Sequence, residues 1–149
     1  MKQTVKMTSV GYTNSYGTES RITFELGKVA PGYYRDNKKR SVVEVEFNLR
    51  EPVGFSPVVS ITAKIWNAGK TDILIGGQCL DTIAEPKMLG QLSEDAQKIF
   101  LKLREIWNAH HLQAPTPRIK AMYNVLFAMS KMPDVDAKSI LNVLEAKEF

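Results

Sequence analysis

Apolar and polar residues alternate with a two-residue period through most of the first half of the chain. Val43, Val45, Phe47 and Leu49 are interleaved with Glu44, Glu46, Asn48 and Arg50, which gives one strand a dry face and a wet face. Ile22, Phe24 and Leu26 against Arg21, Thr23 and Glu25 repeat the pattern, as do Val59, Ile61, Ala63 and Ile65 against Ser60, Thr62, Lys64 and Trp66. Thr4 to Tyr12 is rich in strand formers and Thr71 to Ile75 is a short, more buried run, so both read as strands. The punctuation agrees. Thr13-Asn14-Ser15-Tyr16-Gly17 is turn chemistry, Gly27 to Lys39 is a longer loop around Pro31-Gly32, and Pro52, Gly54 and Pro57 break the next junction. Asn67-Ala68-Gly69-Lys70 suits a hairpin between Trp66 and Thr71.

Beyond residue 90 the period changes. Leu92, Ala96, Ile99, Phe100, Leu103, Ile106, Trp107 and His110 fall at steps of three and four, the stripe of an amphipathic helix. Ser93 is suited to cap it, with Glu94 and Asp95 where the helix dipole favours anions. A second helix is expected from Thr116-Pro117, with Met122, Leu126 and Met129 inward. A third is expected from Pro133-Asp134, with Ile140, Leu141 and Leu144 inward. Together these predict a single α+β domain over 1–149, β-rich over 1–85 and helical over 92–149. The expected architecture is an N-terminal antiparallel sheet of about four to five strands, packed by three C-terminal α-helices.

Composition narrows the class. Hydrophobic residues at 44% and charged residues at 24% describe a globular chain, not a disordered one. No apolar run approaches the roughly 20 residues that span a bilayer, so no membrane association is expected. The opening Met-Lys-Gln-Thr-Val-Lys lacks the apolar core of a secretory signal. Cys79 is the one cysteine and can form no internal disulfide, which points to a reducing, cytoplasmic compartment. The net charge of +4 tilts the chain mildly toward acidic partners. Five basic residues between Lys28 and Arg40, against Asp36 alone, concentrate that charge in one loop.

Three patterns resemble catalytic or cofactor chemistry and lack the spacing for it. Gly69-Lys70-Thr71 ends like a phosphate-binding loop, but the glycine required five positions earlier is Lys64. His110-His111 are adjacent, about 100° apart on a helix, and cannot chelate as residues four apart do. With two histidines and one cysteine the chain is too poor in ligands for a closed structural zinc site, and no metal or other cofactor is expected. Cys79, with His110 or His111 as base and Asp81 or Gln78 as orienting group, would make a cysteine-dependent hydrolase or transferase. The plainer reading makes Cys79 a small apolar filler after Gly76-Gly77.

The basic loop carries the best binding signal. Tyr33, Tyr34, Arg35, Lys38, Lys39 and Arg40 set two aromatics beside four cations. Bases stack on rings while cations hold phosphates, so the loop suits single-stranded nucleic acid. Tyr and Arg also dominate protein hot spots, so it suits a protein equally. The third reading is a charged hairpin tip that keeps a sheet edge from aggregating. Trp66, on the outer phase of its strand, is a second anchor or lies under the helices.

Trp66-Asn67, Thr71-Asp72-Ile73, Gly76-Gly77-Gln78-Cys79-Leu80-Asp81, Ile106-Trp107 and His110-His111-Leu112 give the middle third a resemblance to small uncharacterised proteins of bacterial phages and mobile elements. The resemblance implies no known reaction. It implies action on host systems, defence nucleases included, by binding. The chain is basic, unlike inhibitors that mimic DNA, so an inhibitor of this kind would grip protein or guide nucleic acid. The expectation is a non-enzymatic accessory protein with a protein or ribonucleoprotein partner, acting as an anti-defence inhibitor in its narrowest form. Single-stranded nucleic-acid binding and Cys79 chemistry are the alternatives.

Overall fold

The computed structural model describes residues 5–29, 41–67, 70–75, 90–110 and 114–146. Five strands come first: β1 (Lys6–Asn14), β2 (Gly17–Val29), β3 (Ser41–Pro52), β4 (Val58–Asn67) and β5 (Lys70–Ile75). Each pairs antiparallel with the next, so the sheet is a meander in the order β1-β2-β3-β4-β5. Three helices follow: α1 (Glu94–His110), α2 (Pro117–Met129) and α3 (Ala137–Glu145). This is the predicted α+β fold, a sheet with helices after it.

Register converts the sequence alternation into two faces. Ile22 lies opposite Phe47 and Phe47 opposite Ile61, while Phe24, Val45 and Ala63 form the neighbouring row. All six are fully buried under the helices. The intervening positions form the outer face, carrying Thr23, Glu46 and Thr62 in one row. Against the inner face α1 supplies Ala96, Ile99, Phe100 and Leu103, α2 supplies Ile119, Met122, Tyr123 and Leu126, and α3 supplies Ile140, Leu141 and Leu144. Trp107 and Met129 pack against this cluster half-buried.

The helix starts follow local hydrogen bonding. The Ser93 hydroxyl accepts from the Ala96 N–H at 3.2 Å, as its expected capping role requires. Thr116 Oγ1 accepts from the Ile119 N–H at 3.2 Å, with Pro117 at the first helical position. The third helix begins later than Pro133-Asp134 suggested. Asp134 sits at a φ of 62°, in the left-handed region, so no helix can run through it. Asp136 caps α3 instead, its carboxylate accepting from the Ser139 N–H at 2.8 Å.

Several strand boundaries also move: β2 starts at Gly17, and β3 runs through Pro52, which pairs with Gly17 instead of breaking the strand. β1 runs two residues past Tyr12, because Asn14 still pairs with Gly17. β2 continues into the expected loop as far as Val29, opposite Ser41, after a register shift between Glu25 and Gly27 absorbs an extra residue. Among the described residues no helix is long and apolar enough to cross a membrane.

Candidate interaction surface

Two turns lie side by side at one end of the sheet. The first joins β1 to β2 through Ser15 and Tyr16 alone, and the Asn14 side chain fixes it by accepting the Tyr16 N–H at 2.8 Å. Gly17 follows at a φ of +135°, and a Cβ there would stand 2.3 Å from the Glu51 carbonyl oxygen. Only glycine lets β2 start this close to the end of β3. The second turn runs from Pro52 to Phe55, closed by the Phe55 N–H on the Pro52 carbonyl at 3.3 Å, with Gly54 at a φ of +80° in the third position. The Val53 N–H donates to the Tyr16 carbonyl at 2.8 Å and ties the two turns together.

This joined tip holds large apolar side chains in water. Tyr16 is 82% exposed, Phe55 78% and Val53 67%, with Tyr12 and Val58 about half exposed beside them. Aromatic side chains present roughly 150–250 Å² each, so Tyr16 and Phe55 alone expose on the order of 300 Å². Single exposed apolar residues are ordinary; a group on two joined turns is a candidate interaction surface, since the largest apolar patch of a monomer, about 300–600 Å², is often functional.

The outer face gives the tip its polar border. Tyr12, Glu19, Arg50 and Val58 lie directly opposite one another across four strands and line a cleft of about 350 Å³. The Tyr12 hydroxyl donates to Glu19 at 2.9 Å, and Arg50 Nε stands 3.6 Å from the same carboxylate. The hydrogen bond to Glu19 raises the Tyr12 phenol above its ordinary pKa. One row further in, Arg21 donates to Asn48 at 3.0 Å and stands 3.9 Å from Glu46. Among the described side chains this face balances Glu19, Glu25, Glu44 and Glu46 against Lys6, Arg21, Lys28 and Arg50. It is no phosphate track.

Two further clefts are less suggestive. One, of about 560 Å³, opens where the inner face turns polar, but Tyr123 and Ser20 hydroxyls satisfy each other at 2.7 Å and Lys120 is held by Glu51 at 3.0 Å. The other, of about 1020 Å³, lies at the starts of α1 and α3 among Glu94, Asp95, Asp134 and Asp136. Among the described residues no group of three or more His, Cys, Asp or Glu is arranged to hold a metal.

The residues singled out from the sequence lie elsewhere. Tyr33, Tyr34, Arg35, Lys38, Lys39 and Arg40 fall outside the described residues, as do Cys79, Asp81 and His111. His110 is the last residue of α1. Trp66 pairs with Val42, next to Ser41, at the end of the sheet where β2 stops and β3 starts. Trp66 and the residues flanking the basic loop therefore share one end of the sheet, and the apolar tip is at the other. Sequence reading missed the tip. Its signal was present as aromatics inside turn segments, Ser15-Tyr16-Gly17 and Pro52-Val53-Gly54-Phe55, where a turn needs no large apolar side chain. No protein-family model, curated protein or solved structure matches the chain.

Proposed function

We propose that this chain is a non-enzymatic binding protein that docks a protein partner through the joined hairpin tip. The observation that carries the reading is the tip itself: Tyr16, Val53 and Phe55 held in water by a hydrogen-bonded double turn, with Arg50 at the border. Tyr and Arg are the residues that dominate protein hot spots, and a rigid turn presents them at low entropic cost. The charge-balanced outer face favours protein over nucleic acid, because phosphates gain nothing from it.

The resemblance to phage and mobile-element proteins gives the proposal its narrower form, in which the partner is a host defence component and binding blocks it. A reducing cytoplasm, inferred from the lone Cys79, is the compartment. The test is binding by the Tyr16→Ser/Phe55→Ser double variant. Loss of a nuclease-resistant protein partner supports the tip. If that variant keeps the partner and Arg35, Lys38, Lys39 and Arg40 changed together to Ala lose it, the basic loop is the contact and the tip proposal fails.

A further inference from the structure

We propose that β1 is a self-recognition edge, through which two copies of the chain join their sheets in one defined register. β1 ends the sheet order, so one side of its backbone is not used by β2. The two-residue connection at Ser15-Tyr16 decides which groups those are. Asn14 and Gly17 close the turn as a hydrogen-bonded pair, so Tyr12, Val10 and Thr8 also direct their backbone groups to β2. Thr13, Gly11, Ser9 and Met7 then direct theirs outward. An independent contact agrees: the Ser9 carbonyl is reached from outside the sheet by Lys131 Nζ at 3.1 Å.

Lys131 does more than mark the direction. It occupies the Ser9 carbonyl while its ammonium stands 5.1 Å from the centre of the Phe127 ring, and the Ser130 hydroxyl bonds that of Ser9. An added strand meets a blocked position at Ser9 and open ones at Gly11 and Thr13, which make no outward hydrogen bond to any described residue. Charged side chains over an edge restrict pairing in this way.

Those two open positions are self-complementary. With Gly11 of one copy opposite Thr13 of the other, each N–H meets a carbonyl in both directions and Ser9 is left to Lys131. The two-fold axis then passes between the two Tyr12 residues, in a non-hydrogen-bonded pair where side chains come closest. Tyr12 is 54% exposed on the outer face, and its hydroxyl is already held by Glu19 within its own copy, leaving the ring for its symmetry mate. Val10, 59% exposed, is covered at the same join. A foreign strand could use the backbone groups, but a second copy brings its own Tyr12 to the axis whenever the register is met.

Tyr12 borders the tip but is not one of the proposed docking residues Tyr16, Val53 and Phe55, and the test needs the purified chain alone. Sedimentation velocity from micromolar to millimolar concentration should show a monomer–dimer equilibrium. Tyr12→Lys keeps an ion pair with Glu19 but sets two ammonium groups across the axis, and should weaken the dimer by roughly tenfold or more. On a Cys79→Ser background, Tyr12→Cys should cross-link to itself under mild oxidation, because Cα atoms in such a pair lie about 4.5 Å apart. Val10→Cys should not, since its mate lies several residues along. Phe55→Ser should leave the dimer unchanged. A chain that stays monomeric at millimolar concentration overturns the proposal. So does a dimer indifferent to Tyr12→Lys, or one that cross-links as readily at Val10→Cys.

Discussion

Tyr123 shows how one residue sets the relation of helix to sheet. Its ring meets Phe47 edge-on at 5.0 Å and stacks near Phe127 at 6.2 Å, while its hydroxyl bonds Ser20. The residue is 1% exposed. Burial pushes its phenol above the ordinary tyrosine pKa, partly opposed by the Ser20 hydrogen bond. A group raised in the folded state contributes its full stability below the unfolded pKa of about 10 and loses it as pH climbs toward the folded value. Tyr123→Phe should therefore cost about 1 kcal/mol at neutral pH and flatten the fall in stability above pH 10, read by urea unfolding across pH. Asp136 works with the opposite sign. Hydrogen bonds from Ser139 hold its carboxyl below the usual range, so its contribution is present above the unfolded carboxylate pKa and is lost as acid protonates it. Asp136→Asn, which still caps, should reduce the acid-side slope of the same unfolding series.

At the scale of elements, the strands and helices were legible and the meaning of the turns was not. Alternation at Val43 to Arg50 marked β3 correctly because one face must be dry and the other wet. The first helix was equally plain, with its stripe and its Ser93 cap. What the sequence could not show was that two turns far apart in the chain meet, since that depends on the register of β2 against β3. Gly17 opposite Pro52 brings Tyr16 beside Val53, and no local pattern encodes it. Tyr123 escaped for a similar reason. A polar-tipped aromatic in α2 needed Ser20, 103 residues away, to make its burial sensible. The close approach at Gly17 can be tested directly. Gly17→Ala puts a Cβ against the Glu51 carbonyl at positive φ and should destabilise by about 1–3 kcal/mol, seen as a lowered denaturation midpoint at unchanged slope. Phe47→Ala, at the centre of the sheet–helix interface, should cost more, about 3–5 kcal/mol.

At the scale of the molecule, the packed core and the proposed recognition surface are spatially separate. The core lies between the inner face and three helices, and the large apolar tip lies beyond it, at the far end of β2 and β3 from the basic loop's flanking residues. Changing Tyr16 and Phe55 should therefore leave stability within about 0.5 kcal/mol of the wild type, because neither contributes to the core. The same change removes the residues expected to dominate partner binding. This separation lets one experiment test docking through the tip apart from folding. The wild-type chain and the Tyr16→Ser/Phe55→Ser variant are each used to capture partners from nuclease-treated lysate of cells that natively make the protein, with bound proteins quantified by mass spectrometry. The wild type should retain a protein that the equally stable variant depletes roughly tenfold or more. Equal retention by both chains, or wild-type binding that disappears with nuclease, would contradict docking through the tip.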